Sequence, residues 1–296
     1  MAWIAAAFGS AFFAGIVSIL AKIGMSKTDP DVATALRTCV VLVFAWAIVG
    51  MSGSFSQIGA IDANSWVFLI ISGASTGASW ICYFRALSCG DVNKVVPIDK
   101  SSAALASLAA IVLFSETTHL FLRLFLIAAI LAGTYLMIEK RSVSRSGKNG
   151  ETNQGKAWIG YAVLAAVFAA LTSLFGKMGM EGIDSNLGTA IRTCVVLAMA
   201  FGIVTARGKL SNVASVGRRE ALFLLLSGIA TGASWMLFYF ALQTGVVSAV
   251  VQIDKLSILI SIAFAYFAFG ERLSRRSGIG LAIIIIGTIA LTAISR

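Results

Sequence analysis

Charge is scarce in this chain. Only 12% of its 296 residues are Asp, Glu, Lys or Arg, whereas a soluble domain carries about a quarter. That is too little charge to solvate a globular surface, which excludes an ordinary soluble fold. Proline is scarcer still: Pro30 and Pro97 are the only two, so the apolar runs are almost unbroken. His119 is the single histidine, and Cys39, Cys82, Cys89 and Cys194 show no CxxC spacing. These absences argue against a structural zinc site, a disulfide framework and histidine acid–base chemistry. No nucleophile–base pair stands out either, so neither an enzyme nor a bound metal or cofactor is expected. The formal charge of +10 is not laid out as a basic stripe with interleaved aromatics, so nucleic acid is not an expected partner.

What is present is hydrophobic length. With 58% hydrophobic residues, the chain divides into apolar runs near 2–24, 31–51, 64–88, 92–114 and 119–138, then 157–179, 186–206, 219–243, 246–269 and 275–295. Each has the ~20 residues that a helix rising ~1.5 Å per residue needs to cross a bilayer. The first run is too long for a signal h-region and reads as a retained span. Between the fifth and sixth lies 139–156, a basic polar linker.

The linker separates two copies of one unit, 1–138 and 157–296. A shift of 155 residues lays Thr34-Ala-Leu-Arg37-Thr-Cys39 on Thr189-Ala-Ile-Arg192-Thr-Cys194. The same shift lays Thr76-Gly-Ala-Ser-Trp80 on Thr231-Gly-Ala-Ser-Trp235, and Ile98-Asp99-Lys100 on Ile253-Asp254-Lys255. It also superposes Lys22 on Lys177, Asp29 on Asp184 and Glu116 on Glu271. Shared hydrophobicity cannot produce matches at intramembrane Arg, Asp and Lys, so this is an internal repeat. Five spans per copy is odd, so the second copy enters from the opposite side. The expected fold is all-α and integral to the membrane, ten helices in two inverted five-helix repeats, with substrate near the midplane between them. Thirteen lysines and arginines fall in alternate connections and none in the others. The basic set should be cytoplasmic, which puts both termini outside.

Ionised side chains inside a bilayer are costly and usually face the bundle interior or a watery cavity. Arg37, Asp99 and Lys100 fall at one depth, with Trp80 and Tyr83 reaching that level. Arg192, Asp254, Lys255 and Trp235 fall at the mirror depth, and Tyr239 lies one turn beyond Trp235. Two charged layers around an aromatic-walled space are expected, each Arg–Asp pair acting either as a gate or as a fixed register pin. Asp and Lys at consecutive positions lie about 100° apart on a helix, so both should not face one spot. Lys22 and Lys177 are near enough to span ends to snorkel. Glu116 and Glu271 read as boundary residues. Thr76, Trp80 and Tyr83 share one helical face, as do Thr231, Trp235 and Phe238. Gly73-xxx-Gly77 and Gly228-xxx-Gly232 allow close helix approach. Pro97 becomes Gln252 in the second copy, and Arg85 and Lys94 become Phe240 and Ala249, departures from symmetry that leave extra positive charge near Pro97.

On the repeated Thr-Ala-x-Arg-Thr-Cys-Val-Val, Gly-Ala-Ser-Trp, Ile-Asp-Lys and the glutamate closing the fourth helix, the chain resembles EamA-type members of the drug/metabolite transporter superfamily, over its whole length. The resemblance implies a bacterial inner-membrane transporter whose third, fourth, eighth and ninth helices line a central cavity. The expected function is export or exchange of a small polar or amphipathic metabolite, such as an amino acid, by alternating access. The expected partners are that small molecule and membrane lipid, with proton coupling an option and a monomer or homodimer as the assembly. The alternatives are a flippase for an anionic lipid headgroup and a non-transporting membrane scaffold.

Overall fold

The computed structural model describes residues 2–25, 28–89, 95, 98–99, 101–137, 157–260, 263 and 274–295. These form α-helices, short 3-10 segments and turns, with no strand among the described residues. In chain order the helices are α1 (Ala2–Gly24), α2 (Pro30–Ser52), α3 (Ala63–Cys89), α4 (Ser102–Leu113), α5 (Leu120–Met137), α6 (Ala157–Gly179), α7 (Ser185–Ala206), α8 (Arg218–Thr244), α9 (Val247–Asp254) and α10 (Arg275–Ile294). Short 3-10 helices, Ser54–Ala60 and Leu210–Val213, follow α2 and α7. Seven helices, α1, α2, α3, α6, α7, α8 and α10, are long and apolar enough to cross a membrane, while α4 and α5 are apolar but shorter. The linker 139–156 lies outside the described residues.

Two of the repeat-equivalent residues cap helices. The Asp29 carboxylate accepts from the Asp31 N–H and starts α2, with Pro30 at the first helical position. Asp184 starts α7, accepting from the N–H groups of Asn186 and Leu187. A short acceptor side chain satisfying orphan N–H groups is worth ~1 kcal/mol at each start.

The copies do not sit apart as two bodies. Helix α3 packs along α6 and α1 along α8; α5 packs on α10, α2 on α7 and α4 on α9. Exchanging each helix for its repeat-mate turns the α3–α6 pair into α8–α1 and the α2–α8 pair into α7–α3, both of which are present. The glycine motifs explain two of these crossings. A Cβ on Gly73 would lie 2.7 Å from the Arg192 carbonyl oxygen, and one on Gly77 2.5 Å from Met199 Cβ. In the other copy, a Cβ on Gly228 would lie 2.5 Å from Val40 Cβ and one on Gly232 2.5 Å from the Phe44 ring. Val40 and Val195, and Phe44 and Met199, are repeat-mates. Small residues thus bring backbones together at equivalent places, as packing inside a bilayer requires. On the outside, Phe121, Val112 and Ile286 stand open at 89%, 79% and 68% exposure, an apolar surface that suits lipid.

The ninth run departs from the expected continuous 246–269 span. After Asp254 the chain turns at Lys255 and Leu256 before residues 257–260 resume as helix. Here Leu256 N–H bonds to Ile253 O (2.9 Å), Ile258 to Lys255 O (3.2 Å) and Leu259 to Leu256 O (2.9 Å). These i→i−3 bonds tighten the backbone like a 3-10 turn, a common mark of a functional hinge. The first copy does the same just after Asp99, where Ser101 N–H bonds to Ile98 O at 3.1 Å and α4 begins at the next residue.

Candidate functional site

Among the described residues Arg192 is the largest fully buried side chain, with 1% of its surface exposed. The α3–α7 crossing at Gly73 brings its guanidinium against α3, where Nε donates to Ser72 Oγ (3.2 Å) and Nη2 to Thr76 Oγ1 (2.8 Å). The guanidinium also lies over two rings of α8, 4.3 Å from the Tyr239 centroid and 5.3 Å from that of Trp235. A desolvated cation over an aromatic face gains ~2 kcal/mol, and hydrogen bonds to a charged group ~1.5–3 kcal/mol. Hydroxyls and rings, not an anion, therefore hold this charge inside the bundle. Ser72 is itself fixed, donating to Thr172 O of α6 at 2.7 Å.

A cavity of about 370 Å³ opens beside it, walled by α1, α3, α4, α6, α7, α8 and α9. Trp80, Arg192, Trp235, Tyr239, Asp254 and Lys255 all line it. Asp254 ends α9 at the break, and its Oδ1 accepts from Ser10 Oγ of α1 (3.1 Å). Ser10 in turn is bound to Ser234 of α8, whose Oγ donates to Ser10 O at 3.1 Å. A second cavity of about 350 Å³ lies on the far side of the break, lined by Gln252 and Thr134 and sharing Asp254 and Lys255 with the first. The carboxylate and the ammonium-bearing residue thus stand in the partition between two spaces.

Six of the ten residues singled out from sequence therefore meet at one cavity. Arg37, Tyr83 and Asp99 do not line it; Tyr83 packs instead against the cluster of Ala86, Val95 and Ala162. Lys100 lies outside the described residues. Neither expected Arg–Asp pair is formed: Arg192 takes the hydroxyls of α3 while Asp254 takes Ser10, and among the described residues no ion pair joins Arg37 to Asp99. The helical argument that Asp254 and Lys255 could not face one space also fails, because the helix breaks between them. Thr76 and Trp80 reach the cavity from the face the sequence marked, and Tyr83 does not. Ser10 and Ser72 gave no sequence signal beyond being small polar residues in apolar spans.

Two further polar clusters tie the copies together. Glu116 receives the Val247 N–H (2.7 Å) and Ser248 N–H (3.3 Å) at the start of α9, and its Oε2 pairs with buried Arg123 Nη1 at 3.2 Å. The glutamate is thus a clamp between copies, not a plain boundary residue. Lys177, in the last turn of α6, donates its Nζ to Gly245 O (3.1 Å) in the turn after α8 and sits 4.9 Å from the Phe114 ring centroid. The side chain of Lys22 and residue Glu271 lie outside the described set. At the opposite end of the bundle, Arg207 Nη1 holds both oxygens of Asp31 (2.9 and 2.8 Å), and Lys209 Nζ bridges Asp29 (2.7 Å) and Asp31 (2.6 Å). Burial pushes the Asp29 carboxyl up, but the Lys209 ammonium and local N–H donors outweigh it and hold it below its ordinary range. The two aspartates raise Lys209 above its own.

Apolar helices of spanning length around a cavity walled by aromatic rings, hydroxyls and charged side chains are the features of a multi-pass membrane protein of the transport class. The comparisons make this specific: the EamA-like transporter family matches residues 1–139 and again 156–293. The chain belongs to that family. An "Uncharacterized transporter in cobO 3'region" from Sinorhizobium sp is 40% identical over 136 residues, 46% of this chain and 96% of the relative. That relative is the size of one copy of the repeat. A crystal structure at 17% identity matches 98% of this chain and 96% of its own with a TM-score of 0.75, a likeness of fold alone.

Proposed function

We propose that this chain is a secondary transporter that exports or exchanges a small polar or amphipathic metabolite, such as an amino acid, by alternating access. The observation that carries this is the composition of one cavity: a fixed guanidinium (Arg192), a carboxylate (Asp254) and two tryptophans (Trp80, Trp235) on its walls. Its size, about 370 Å³, falls at the small end of ligand pockets, about 300–1,000 Å³. Broken helices carrying a carboxylate near the middle of a bundle are how transporters of this general type meet substrate and coupling ion. The reading includes ten spans in two inverted copies, supported by the contact pattern that survives exchange of the copies. It also includes basic loops on the cytoplasmic face of a bacterial inner membrane, with both termini outside. Lys255 and Arg192 against one carboxylate give the flippase alternative an observation too, since two cations suit an anionic headgroup.

Flux into proteoliposomes separates these readings. A transporter moves soluble labelled substrate, a flippase moves labelled lipid, and a scaffold moves neither. Asp254→Asn should cut flux at least tenfold while leaving a monodisperse protein, with Asp99→Asn less affected because Asp99 does not reach the cavity. Normal flux in Asp254→Asn and Asp99→Asn alike would sink the proposal. Flux indifferent to an imposed pH gradient would remove proton coupling from it.

A further inference from the structure

The seat that holds Arg192 exists twice, and here one of the two is empty. The 155-residue shift converts Arg192 into Arg37, Ser72 into Ser227, Thr76 into Thr231 and Trp235 into Trp80. In the filled seat Arg192 Nε meets Ser72 Oγ and Nη2 meets Thr76 Oγ1. In the other, Arg37 Nε and Ser227 Oγ are both buried and both without a hydrogen-bond partner. These two unsatisfied atoms are repeat-mates of two atoms bonded to each other in the filled seat, where Arg192 Nη1 is the guanidinium nitrogen left without a partner. Orphaned buried polar atoms cost ~1–3 kcal/mol each and call for a reason.

The empty seat is otherwise built. Thr231 Oγ1 donates to Ser227 O (2.7 Å), as Thr76 Oγ1 donates to Ser72 O (3.1 Å), so each threonine keeps its lone pairs free to accept from a further donor. The backbones are also at equivalent range: a Cβ on Gly228 would be 3.0 Å from Arg37 O, and one on Gly73 2.7 Å from Arg192 O. The asymmetry is in the layer above. Ser72 is pinned to Thr172 O of α6, whereas Ser227, which would reach α1 by the same symmetry, has no partner. The cavity is walled by α3 and α6 on one hand and by α1 and α8 on the other.

We propose that Arg37, Ser227 and Thr231 form a latent second seat, filled in the oppositely facing conformation when Arg192 leaves Ser72 and Thr76. This rests on the transporter reading and names its gating residues. The exchange conserves the number of charge-assisted hydrogen bonds, so the two conformations stay close in energy, as a bistable element must. The gates are thus guanidinium-to-hydroxyl contacts between copies, in place of Arg–Asp pairs.

The test is the distance between the two helix pairs, read by double electron–electron resonance in lipid nanodiscs. One spin-label pair goes at Asn64 and Thr244, at one end of α3 and α8; a second goes at Ala157 and Arg219, at the other end. The background protein should show two distance populations at each end, the shorter at one end coinciding with the longer at the other. Ser72→Ala with Thr76→Val should deplete the conformation described here at least about tenfold relative to its rival. Ser227→Ala with Thr231→Val should enrich it by a similar factor, and Arg37→Gln, which leaves the filled seat untouched, should act in the same direction. Two populations indifferent to these substitutions, or shifted the same way by both hydroxyl pairs, would overturn the latent seat and leave transport standing. A single fixed distance at both ends under all conditions would overturn the seat and alternating access together.

Discussion

Arg37 and Arg192 occupy the same place in two copies of one sequence and lead different lives. Arg192 is fully buried, held by two hydroxyls and two rings with Nη1 left over, while Arg37 is half-buried with its Nε unsatisfied. The starts of α2 and α7 repeat the lesson. Asp29 and Asp184 cap both helices, but around Asp29 stand Asp31, Arg207 and Lys209, while around Asp184 stand Asn186 and Gln57, whose Oε1 accepts from the Asp184 N–H at 2.9 Å. What a residue does within its own helix is inherited with the repeat. What it does across the bundle depends on the partner helix, and there the copies have diverged.

The largest effect expected from this comparison is at the arginines. Arg192→Leu should destabilise the protein by ~3 kcal/mol, since it removes two charge-assisted hydrogen bonds and two cation–π contacts in a dry interior. Arg37→Leu should cost under ~1 kcal/mol, because few bonds are lost. Thermal unfolding in detergent, followed by tryptophan fluorescence, would show it. Equal losses at the two sites would mean that Arg37 is as firmly seated as its mate. Next in size is Asp31→Ala, which frees Arg207 and Lys209 together. That carboxylate is 3% exposed, and its loss should cost ~2 kcal/mol. Asn186→Ala at the mate position should be nearly neutral, and a comparable loss there would erase the contrast between the two helix starts.

That the chain is an all-helical membrane bundle was legible in the sequence, because bilayer thickness and apolar run length are constraints on the chain itself. The caps at Asp29 and Asp184 and the close approaches at Gly73 and Gly228 lie at repeated positions for reasons local to one helix or one crossing. The site was legible only in part. Trp80, Arg192, Trp235, Tyr239, Asp254 and Lys255 do meet at a cavity, but here Arg192 bonds to hydroxyls of α3 where the sequence suggested Asp254. Pairing by opposite charge is the natural guess from a sequence. Inside this bundle Ser72 and Thr76 are nearer, and nothing in a serine marks it as a guanidinium acceptor. The break after Asp254 was missed because no glycine or proline announces it; Gln252 stands where the first copy has Pro97, bonded through Nε2 to Ser107 Oγ at 3.0 Å. The intertwining of the copies was also invisible, since a repeat says which residues are equivalent and not which helices touch.

The smallest effect concerns pH at the α2 start, and its sign follows from the direction of each shift. Asp29 is held below its ordinary range by Lys209, so its share of stability is present above the unfolded value, near ~4, and fades as pH falls through the folded one. Lys209 is raised by Asp29 and Asp31. Its share is complete below the unfolded lysine value, ~10.4, and fades as pH climbs through the folded one. Both groups are partly open to solvent, so their pairing is worth ~0.5 kcal/mol. Comparing the protein with Lys209→Met should therefore show a small constant stability gap between about pH 5 and pH 9, closing below about pH 4 and above about pH 10.5. The mate start at α7, with neutral Asn186 and Gln57 about Asp184, should show no closure on the alkaline side when Gln57→Met is compared in the same way. An alkaline closure at both starts would show that the ion cluster is not what distinguishes them.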